Sequence, residues 1–404
     1  MRWVPAPPRP DLRELPIEGQ LVIYDPVARV THLLNESAAA IWTAWRDAPS
    51  DADALTAHLA SSHGVPEERV RLDVRRAMSR FEELGLLGEP PSTRFRPPQW
   101  GDAVDVEPKL LATELTSTIP AGRYRALDYP FEVRATEPSL AEAVRELLGG
   151  LAEPPQSGGN DGGAHARPRR YDLVGDGEQI LVLVDGTVVR TATTPAMALT
   201  FLSWHIHRQA LRHSDRLVRL HASAIRVGDL VVALPAPPES GKSTLVAGLV
   251  RSGYRYVTDE AVAFDPVTRE VLPLPLPITL DEGSWELFPE LDDNPSADTS
   301  SMVVAPQLLR AEAVGRSTPA QLGACVFHRF RPGATTTLRR AAAPEALVLL
   351  LENAFGLDDA GDVAFEAMTD VAREVPCWTL EHGGLDAAID AIGEVVAGVT
   401  REQG

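Results

Sequence analysis

The sequence is poor in features that would place it outside the cell or in a membrane. The chain of 404 residues has two cysteines, Cys325 and Cys377, far apart in sequence, and it has no run of 18 or more apolar residues. A disulfide framework and a membrane-spanning helix are therefore not expected, and the first residues do not resemble a signal peptide. The absences predict a cytoplasmic protein in which both cysteines are buried as apolar side chains.

Positive charge is also scarce. The chain has 38 Lys and Arg against 57 Asp and Glu, which gives a formal net charge of -19. An acidic surface repels phosphate backbones and anionic lipid, so neither a nucleic acid nor a membrane surface is an expected partner.

The length predicts two or three domains of mixed α+β or α/β class. Residues 1–88 show two strand-like runs and then three helical patterns, which predicts a winged-helix-like domain with a β-hairpin. Residues 89–105 are proline-rich and read as a linker. Residues 106–404 alternate strand and helix patterns, as an α/β domain does, with a polar, glycine-rich insertion at about residues 153–170 that we expect to be mobile.

Residues 234–245, LPAPPESGKSTL, differ from the phosphate-binding pattern G-x-x-x-x-G-K-[ST] at one position, where Ala236 replaces the first glycine. A predicted buried strand precedes the loop and a predicted helix follows it, as the pattern requires. Backbone N–H groups at a helix start bind phosphate, Lys242 would reach the β- and γ-phosphates, and Ser243 would complete a Mg²⁺ shell. The predicted nucleotide-binding residues are Glu239, Ser240, Gly241, Lys242, Ser243 and Thr244.

Two alternatives accompany this motif. A G-K-S-T sequence can occur by chance at a helix start. If the first loop position requires a left-handed backbone, we expect Ala236 to cost about 1 kcal/mol there.

Acidic residues and a histidine flank the loop in sequence. Asp259 and Glu260 follow a predicted strand seventeen residues after Lys242, where a metal-binding acidic pair would be placed. His221 lies on the strand that precedes the loop. A lone histidine on a strand is more often a core residue, but the spacing of these groups along one α/β segment favours a site.

The segment from residue 220 to residue 285 resembles the HPr kinase/phosphorylase-related group, whose catalytic domain is similar to the core of phosphoenolpyruvate carboxykinase. The resemblance rests on His221-Ala222, the loop ending in GKST, the segment from Gly253 to Glu260, and P-x-x-L-x-E-G-S at residues 277–284. It implies a P-loop-containing kinase that uses ATP and Mg²⁺, and a homo-oligomer is a reasonable expectation.

The resemblance also implies residue roles. Asp259 would accept the proton of the hydroxyl acceptor, Glu260 would help to hold Mg²⁺ together with Ser243, and His221 would orient the carboxylates. The division between Asp259 and Glu260 stays open, because two carboxylates near one metal titrate as a unit. The E-I-R-G stretch of full HPr kinases is missing, which argues against HPr itself as the substrate.

Residues 13–87 resemble the PqqD-like peptide-recognition domain, also called the RiPP recognition element, and the run HLLNESAAAI at residues 32–41 carries the similarity. The resemblance implies that the leader of a precursor peptide adds to the last strand of the hairpin and lies against the third helix. The residues expected to bind the leader are Arg29, Val30, Thr31, His32, Leu33, Arg69, Arg76 and Arg80. Strand addition fits an unpaired edge, and an arginine face predicts an acidic leader, although a solvated, charge-balanced face is the alternative.

Together these features predict a kinase that phosphorylates a Ser or Thr of a leader-bound ribosomal peptide. Two rivals remain at this stage. One is a kinase of a small-molecule hydroxyl with a docking module, and the other is a non-catalytic nucleotide-binding scaffold.

Overall fold

The computed structural model describes residues 6–48, 51–90, 118–153, 167–175, 179–291, 301–314 and 318–402. Most of the predicted linker and of the predicted insertion lies outside these residues, but Arg169 and Arg170, assigned above to the insertion, begin a strand. The chain forms two compact units. The first contains residues 1–99 together with 341–352 and 368–377, and the second contains the remainder.

The α-helices of the described residues are α1 (Glu36–Asp47), α2 (Ala52–His63), α3 (Glu67–Glu83), α4 (Pro138–Leu147), α5 (Pro195–Arg212), α6 (Lys242–Arg251), α7 (Pro306–Leu309), α8 (Ala343–Glu352), α9 (Leu357–Glu374) and α10 (Leu385–Glu402). The strands are β1 (Arg13–Ile17), β2 (Gln20–Asp25), β3 (Val30–Leu34), β4 (Ile119–Ala126), β5 (Tyr129–Ala135), β6 (Arg169–Gly175), β7 (Ile180–Val184), β8 (Thr187–Ala192), β9 (Val218–Val227), β10 (Leu230–Pro235), β11 (Arg255–Thr258), β12 (Ala261–Phe264), β13 (Glu270–Leu272), β14 (Ile278–Asp281), β15 (Ser301–Val304), β16 (Ala320–Phe330), β17 (Thr337–Arg340) and β18 (Cys377–His382).

In the first unit the predicted hairpin is β2–β3, and β1 adds a third antiparallel strand that the sequence did not reveal. Local signals set the helix starts, because the side chains of Asn35 and Asp51 accept hydrogen bonds from the first turns of α1 and α2. Gly64 ends α2 in the left-handed conformation. Trp42 and Trp45 are buried in the core between the helices and the sheet.

The outer face of this small sheet is covered by α8, which approaches β2 and β3 within the same unit. Leu21 and Ile23 belong to the core formed with α1–α3, so the alternating residues Val22 and Tyr24 point to the opposite face. Both of these side chains are buried. A helix from residues 343–352 therefore completes the packing of the N-terminal sheet.

The second unit has a five-stranded sheet, β4–β5–β6–β7–β8, packed against α4 and α5. An eight-stranded sheet closes a ring of pairings, because β9 pairs with β10 and β12, β13 joins β12 to β16, and β16 pairs in parallel with β10. Strands β14 and β15 form a separate two-stranded antiparallel sheet. The pairings are mainly antiparallel, so the unit is mixed α and β. Helices α6 and α10 cover the ring and bury its apolar side chains. Cys325 and Cys377 are free and buried, as predicted.

Candidate functional site

The predicted phosphate loop lies between β10 and α6, as the motif requires, and we call residues 236–244 the GKST loop. Left-handed backbone occurs at Glu239 (φ 60°) and Gly241 (φ 82°). The condition for strain at Ala236 is not met, because Ala236 is not among the residues with positive φ. Glu239 has the left-handed backbone instead, which costs about 1–2 kcal/mol at a residue other than glycine. Such alternation turns successive N–H groups to one side and forms an anion-binding concavity.

Lys242 begins α6 and is buried, and two acceptors hold its ammonium group. Its Nζ donates to the carbonyl oxygen of Pro237 at 3.0 Å and to Nε2 of His221 at 3.0 Å. An ammonium group can only donate, so Nε2 of His221 carries the lone pair. Nδ1 of His221 then carries the hydrogen and donates it to the carbonyl oxygen of Glu260 at 3.2 Å. The histidine therefore links the lysine to the backbone of Glu260.

The backbone of His221 is fixed by residues that are distant in sequence. Its N–H donates to the carbonyl oxygen of Asn353 at 2.7 Å, and Leu220 forms a β-bridge with Ala354. The segment after α8 thus occupies the edge of β9 beside the site. Its position could not be read from local sequence, because it depends on a pairing across more than a hundred residues.

Asp259 and Glu260 interrupt the edge that pairs with β9. Thr258 of β11 is opposite Ala224, and Ala261 of β12 is opposite His221, so the acidic pair lies beside the histidine. Asp259 is 2% exposed, and neither of its carboxylate oxygens has a hydrogen-bond partner within the described residues. A buried carboxylate without a partner is costly, which marks this position as one that awaits a ligand or a proton.

The electrostatics of Asp259 follow from this burial. Burial first, and then the neighbouring Glu260, raise the pKa of the Asp259 carboxyl to about 7. Three groups limit this rise in the pKa: the Ser243 hydroxyl, Lys242 and the backbone N–H of Thr279. The Ser243 hydroxyl and the Thr279 N–H are near the carboxylate, but neither has the geometry of a hydrogen bond to it. Thr279 belongs to the P-x-x-L-x-E-G-S stretch, so that stretch supplies a backbone group to the acidic centre.

The pKa values of both basic groups of the site, Lys242 and His221, are lowered. Burial is the main cause that lowers the pKa of Lys242, although Asp259 and Glu260 oppose it. Burial and the adjacent Lys242 lower the pKa of His221. A nearby polyanion would favour the charged form of each group, so an added phosphate is electrostatically favoured here.

The acidic pair fits Mg²⁺ better than a softer metal. Within the described ranges no group of three or more His, Cys, Asp and Glu side chains could hold a metal ion. Mg²⁺ is usually bound through one or two carboxylates plus substrate phosphates, and it prefers oxygen ligands. Asp259 has two unpartnered oxygens, and Ser243 and Glu260 lie beside it, so the donor set suits a hard cation brought in with a nucleotide.

Three residues lie near the GKST loop that the sequence did not predict to be there. His328 and Phe330 end β16, which runs parallel to β10, and His382 ends β18 beside them. The Cβ of Phe330 lies 3.9 Å from the position that a β-carbon on Gly241 would take. No motif spacing could have found these residues, because only the parallel pairing of β16 with β10 brings them to the loop.

The predicted leader-binding residues cluster in the first unit. In the described part of the chain β3 pairs only with β2, so it is an edge strand of its sheet. Leu33 of β3 and Leu72 of α3 are large apolar side chains that are 42% and 50% exposed, and Val30 is similarly exposed. Arg29 lies in the turn before β3 with φ 56°, rather than in the strand. An edge strand bordered by exposed apolar side chains suits an incoming extended peptide.

The arginines predicted on α3 share its exposed face. Arg69, Arg76 and Arg80 are exposed at helical spacing around Leu72. Arg80 pairs with Glu83 at 3.0 Å and lies near enough to His32 to lower its pKa, although burial is the larger cause. No ion pair joins Arg69 or Arg76 to a carboxylate in the part of the chain that the structure describes. Part of the arginine face is therefore available to an acidic segment.

Comparisons with known proteins give results of unequal weight. No curated protein matches the chain. Among solved structures, the HPr(Ser) kinase/phosphatase from Coxiella burnetii aligns with 46% of this chain and 99% of its own at 10% identity, with a TM-score of 0.26. A TM-score this low does not establish a common fold. No helix of the described ranges has the length and apolar character needed to cross a membrane.

The first unit has a clearer relative. Residues 20–87 match the family described as "Coenzyme PQQ synthesis protein D (PqqD)". The matched range begins with β2 and includes β3 and all three helices α1–α3. It therefore contains every residue of β3 and α3 that we predicted to bind a leader. This part of the chain is a PqqD domain.

Proposed function

We propose that this protein is an ATP-dependent kinase that phosphorylates a Ser or Thr hydroxyl of a ribosomally synthesised precursor peptide, which it captures through the leader. The observation that carries the kinase part is the convergence of Lys242, His221 and the unpartnered Asp259 at a loop with anion-binding geometry. The PqqD match to residues 20–87 supports the peptide part.

The GKST loop would bind the β- and γ-phosphates of ATP. Backbone N–H groups of residues 239–243 and the start of α6 provide donors and a favourable dipole. Lys242 is held near the loop by the carbonyl of Pro237 and by His221, so it can exchange the Pro237 contact for a phosphate oxygen without a large movement. Bound Mg²⁺ would be held by Asp259, Glu260 and Ser243, and it would neutralise charge on the phosphates.

The reacting hydroxyl needs a base at the position of Asp259. In the transfer, the hydroxyl oxygen bonds to the γ-phosphorus, the bond from the γ-phosphorus to the bridging oxygen breaks, ADP leaves, and the hydroxyl proton passes to the carboxylate. The carboxyl pKa of about 7 belongs to the metal-free site, and a bound cation would lower it and keep the carboxylate ionised, ready to accept the proton. His221 would orient this centre through its bond to Glu260.

Leader capture explains why the two functions share a chain. A leader that adds to β3 and packs against α3 would hold the core peptide at high local concentration, so the catalytic centre can bind the acceptor weakly. We expect a leader with alternating apolar and acidic side chains, because Leu33 and Leu72 are exposed and Arg69 and Arg76 have no ion pair within the described residues.

The first test uses the scarcity of lysine. The chain has two lysines, Lys109 and Lys242, so an acyl-phosphate derivative of ATP, which acylates lysines near bound phosphates, can report on each separately. We expect selective labelling of Lys242, read by peptide mass spectrometry, and protection by excess ATP and Mg²⁺. Equal labelling of both lysines, without protection, would contradict nucleotide binding at the GKST loop.

The activity counterpart is Lys242→Ala. We expect at least a 100-fold loss of phosphate transfer to a precursor peptide whose leader binds the wild-type protein, followed as a gain of one phosphoryl mass, because a buried cation on the transferring phosphate is lost. Binding of that peptide to the variant should be unchanged. Retained phosphate transfer by this variant would show that the nucleotide phosphates do not bind at the GKST loop.

The arginine face gives a further prediction. We expect Arg76→Glu to weaken leader binding about threefold to tenfold at low salt, and Arg80→Glu to weaken it less, because Glu83 already engages Arg80. Arg75→Glu is the matched control, since it lies about 100° around the same helix. Fluorescence anisotropy of a labelled leader measures all three. Equal effects from Arg75 and Arg76 would indicate general surface charge rather than a docking face.

A further inference from the structure

The cluster of His328, His382 and Phe330 is not used by the transfer described above. His328 is 3% exposed and His382 is 4% exposed. Both ring nitrogens of His328 and Nε2 of His382 lack any hydrogen-bond partner within the described residues. Buried polar atoms left in this way cost free energy, and native proteins rarely contain several together without a ligand or ordered water.

The cluster borders the GKST loop. The His382 ring lies 5.9 Å from the His328 ring and 5.6 Å from the Phe330 ring, measured between centroids. Phe330 approaches Gly241 of the loop at the 3.9 Å noted above. The side chain of Phe330 is 45% exposed, so it offers a free aromatic face directly beside the loop.

The protonation of the histidines limits what they can bind. Nδ1 of His382 lies 3.2 Å from the carbonyl oxygen of Gly384, so Nδ1 carries the hydrogen and Nε2 is an acceptor. Burial lowers the pKa of both rings, with His382 and Lys242 adding to the effect on His328, and both rings are neutral at physiological pH. A neutral acceptor nitrogen needs a ligand that donates. Phosphate oxygens do not donate at neutral pH, whereas ribose hydroxyls and the amino group of a base do.

We propose that Phe330, His382 and His328 form the nucleoside subsite of the nucleotide, with the base stacked on Phe330 and base or ribose donors facing the histidines. This inference rests on the proposed function, since it extends the nucleotide from the GKST loop. An exposed aromatic face supplies stacking energy for a base, and the two imidazoles supply hydrogen-bond acceptors beside it. Contacts of this kind would distinguish a nucleoside triphosphate from bare tripolyphosphate.

The test compares two probes on the full chain, ATP with Mg²⁺ and tripolyphosphate with Mg²⁺, by calorimetry. We expect Phe330→Ala to weaken the affinity for ATP about 5- to 100-fold, which is the range for loss of one stacked base, and to leave the affinity for tripolyphosphate unchanged. Phe330→Trp should restore ATP binding. His382→Leu should weaken ATP binding. His382→Gln keeps an acceptor near the ε position, so it should weaken ATP binding less.

The control is Trp204→Ala, which removes another exposed aromatic side chain, on α5, and should change neither probe. Thermal unfolding checks that each variant is folded. Equal weakening of ATP and tripolyphosphate by Phe330→Ala would overturn the inference in favour of a phosphate contact. An unchanged ATP affinity with a raised KM for the peptide would instead assign the cluster to the acceptor. Failure of the wild-type chain to bind either probe would contradict the proposed function itself.

Discussion

Replacing Asp259 with asparagine should slow phosphate transfer by several orders of magnitude and also make the protein more stable above pH 7. The loss of activity, about 10²- to 10⁴-fold in kcat, is the usual contribution of a positioned base. Asparagine keeps the shape of the side chain but cannot accept a proton. Transfer to a precursor peptide whose leader binds the wild-type protein, followed by mass spectrometry, measures the loss.

The stability gain follows from the raised pKa. Between pH 4 and pH 7 the folded protein retains a proton on Asp259 that the unfolded chain, with a carboxyl pKa near 3.8, has already released. The free energy of unfolding therefore falls as the pH rises through this interval, by an amount on the order of a few kcal/mol. Asparagine removes this penalty, so the variant should unfold roughly 5–10 °C higher than wild type at pH 8 and at the same temperature near pH 4.

Calorimetry in the presence of a chelator, at both pH values, measures the difference. Added Mg²⁺ with ATP should raise the unfolding temperature of wild type at pH 8 and have less effect on Asp259→Asn. Glu286→Gln, which removes a carboxylate on an exposed position, is the control for a general charge effect. A variant less stable than wild type at pH 8 would show that the Asp259 carboxylate is stabilised in the folded protein, contrary to its burial without a partner.

Introducing aspartate at both Leu33 and Leu72 should uncouple the precursor peptide from the enzyme. The two side chains are exposed in the free protein, on β3 and α3, so the substitutions should not disturb folding. Burial of a leucine against a leader contributes about 1.5–3 kcal/mol, and loss of both should weaken leader binding by about 10²- to 10⁴-fold. The KM for the full-length peptide should rise to a similar extent, because the local concentration of the core is lost.

The kcat at saturating peptide, and the kinetics with a peptide that lacks its leader, should stay the same. Val267→Asp is the matched control, since Val267 is an exposed apolar side chain in the second unit, 83% exposed. If the double variant handles the full-length peptide as wild type does, the leader does not dock on β3 and α3. If it also loses activity on the leaderless peptide, the substitutions have acted on folding.

Local sequence was enough for those parts of the structure that local interactions decide. The caps at Asn35 and Asp51 set the starts of α1 and α2, and the strand-loop-helix order of the GKST loop was evident from hydrophobic patterns. The conformation of the loop was not, because Glu239 takes the left-handed backbone that the motif suggested for position 236. Sequence spacing also does not reveal which residue in a proline-rich loop will have positive φ.

The wider site depends on pairings between distant segments. Asn353 fixes the backbone of His221, and the parallel register of β10 with β16 brings His328 and Phe330 to the loop. Neither contact leaves a trace in residue spacing, since each strand alone reads as an ordinary apolar run. The burial that raises the pKa of Asp259 has the same origin, because it comes from packing around the whole ring of strands.

The helix α8 has a consequence for how the protein is made. The face of the N-terminal sheet that carries Val22 and Tyr24 is covered by a helix that begins at Ala343. During translation β2 and β3 therefore leave the ribosome long before residues 343–352, which cover them, and this apolar face stays open in the interval. We expect the nascent PqqD domain to interact with chaperones in this interval. We also expect a fragment that stops at residue 90 to aggregate, whereas a fragment joined to residues 341–377 by a flexible linker should be soluble.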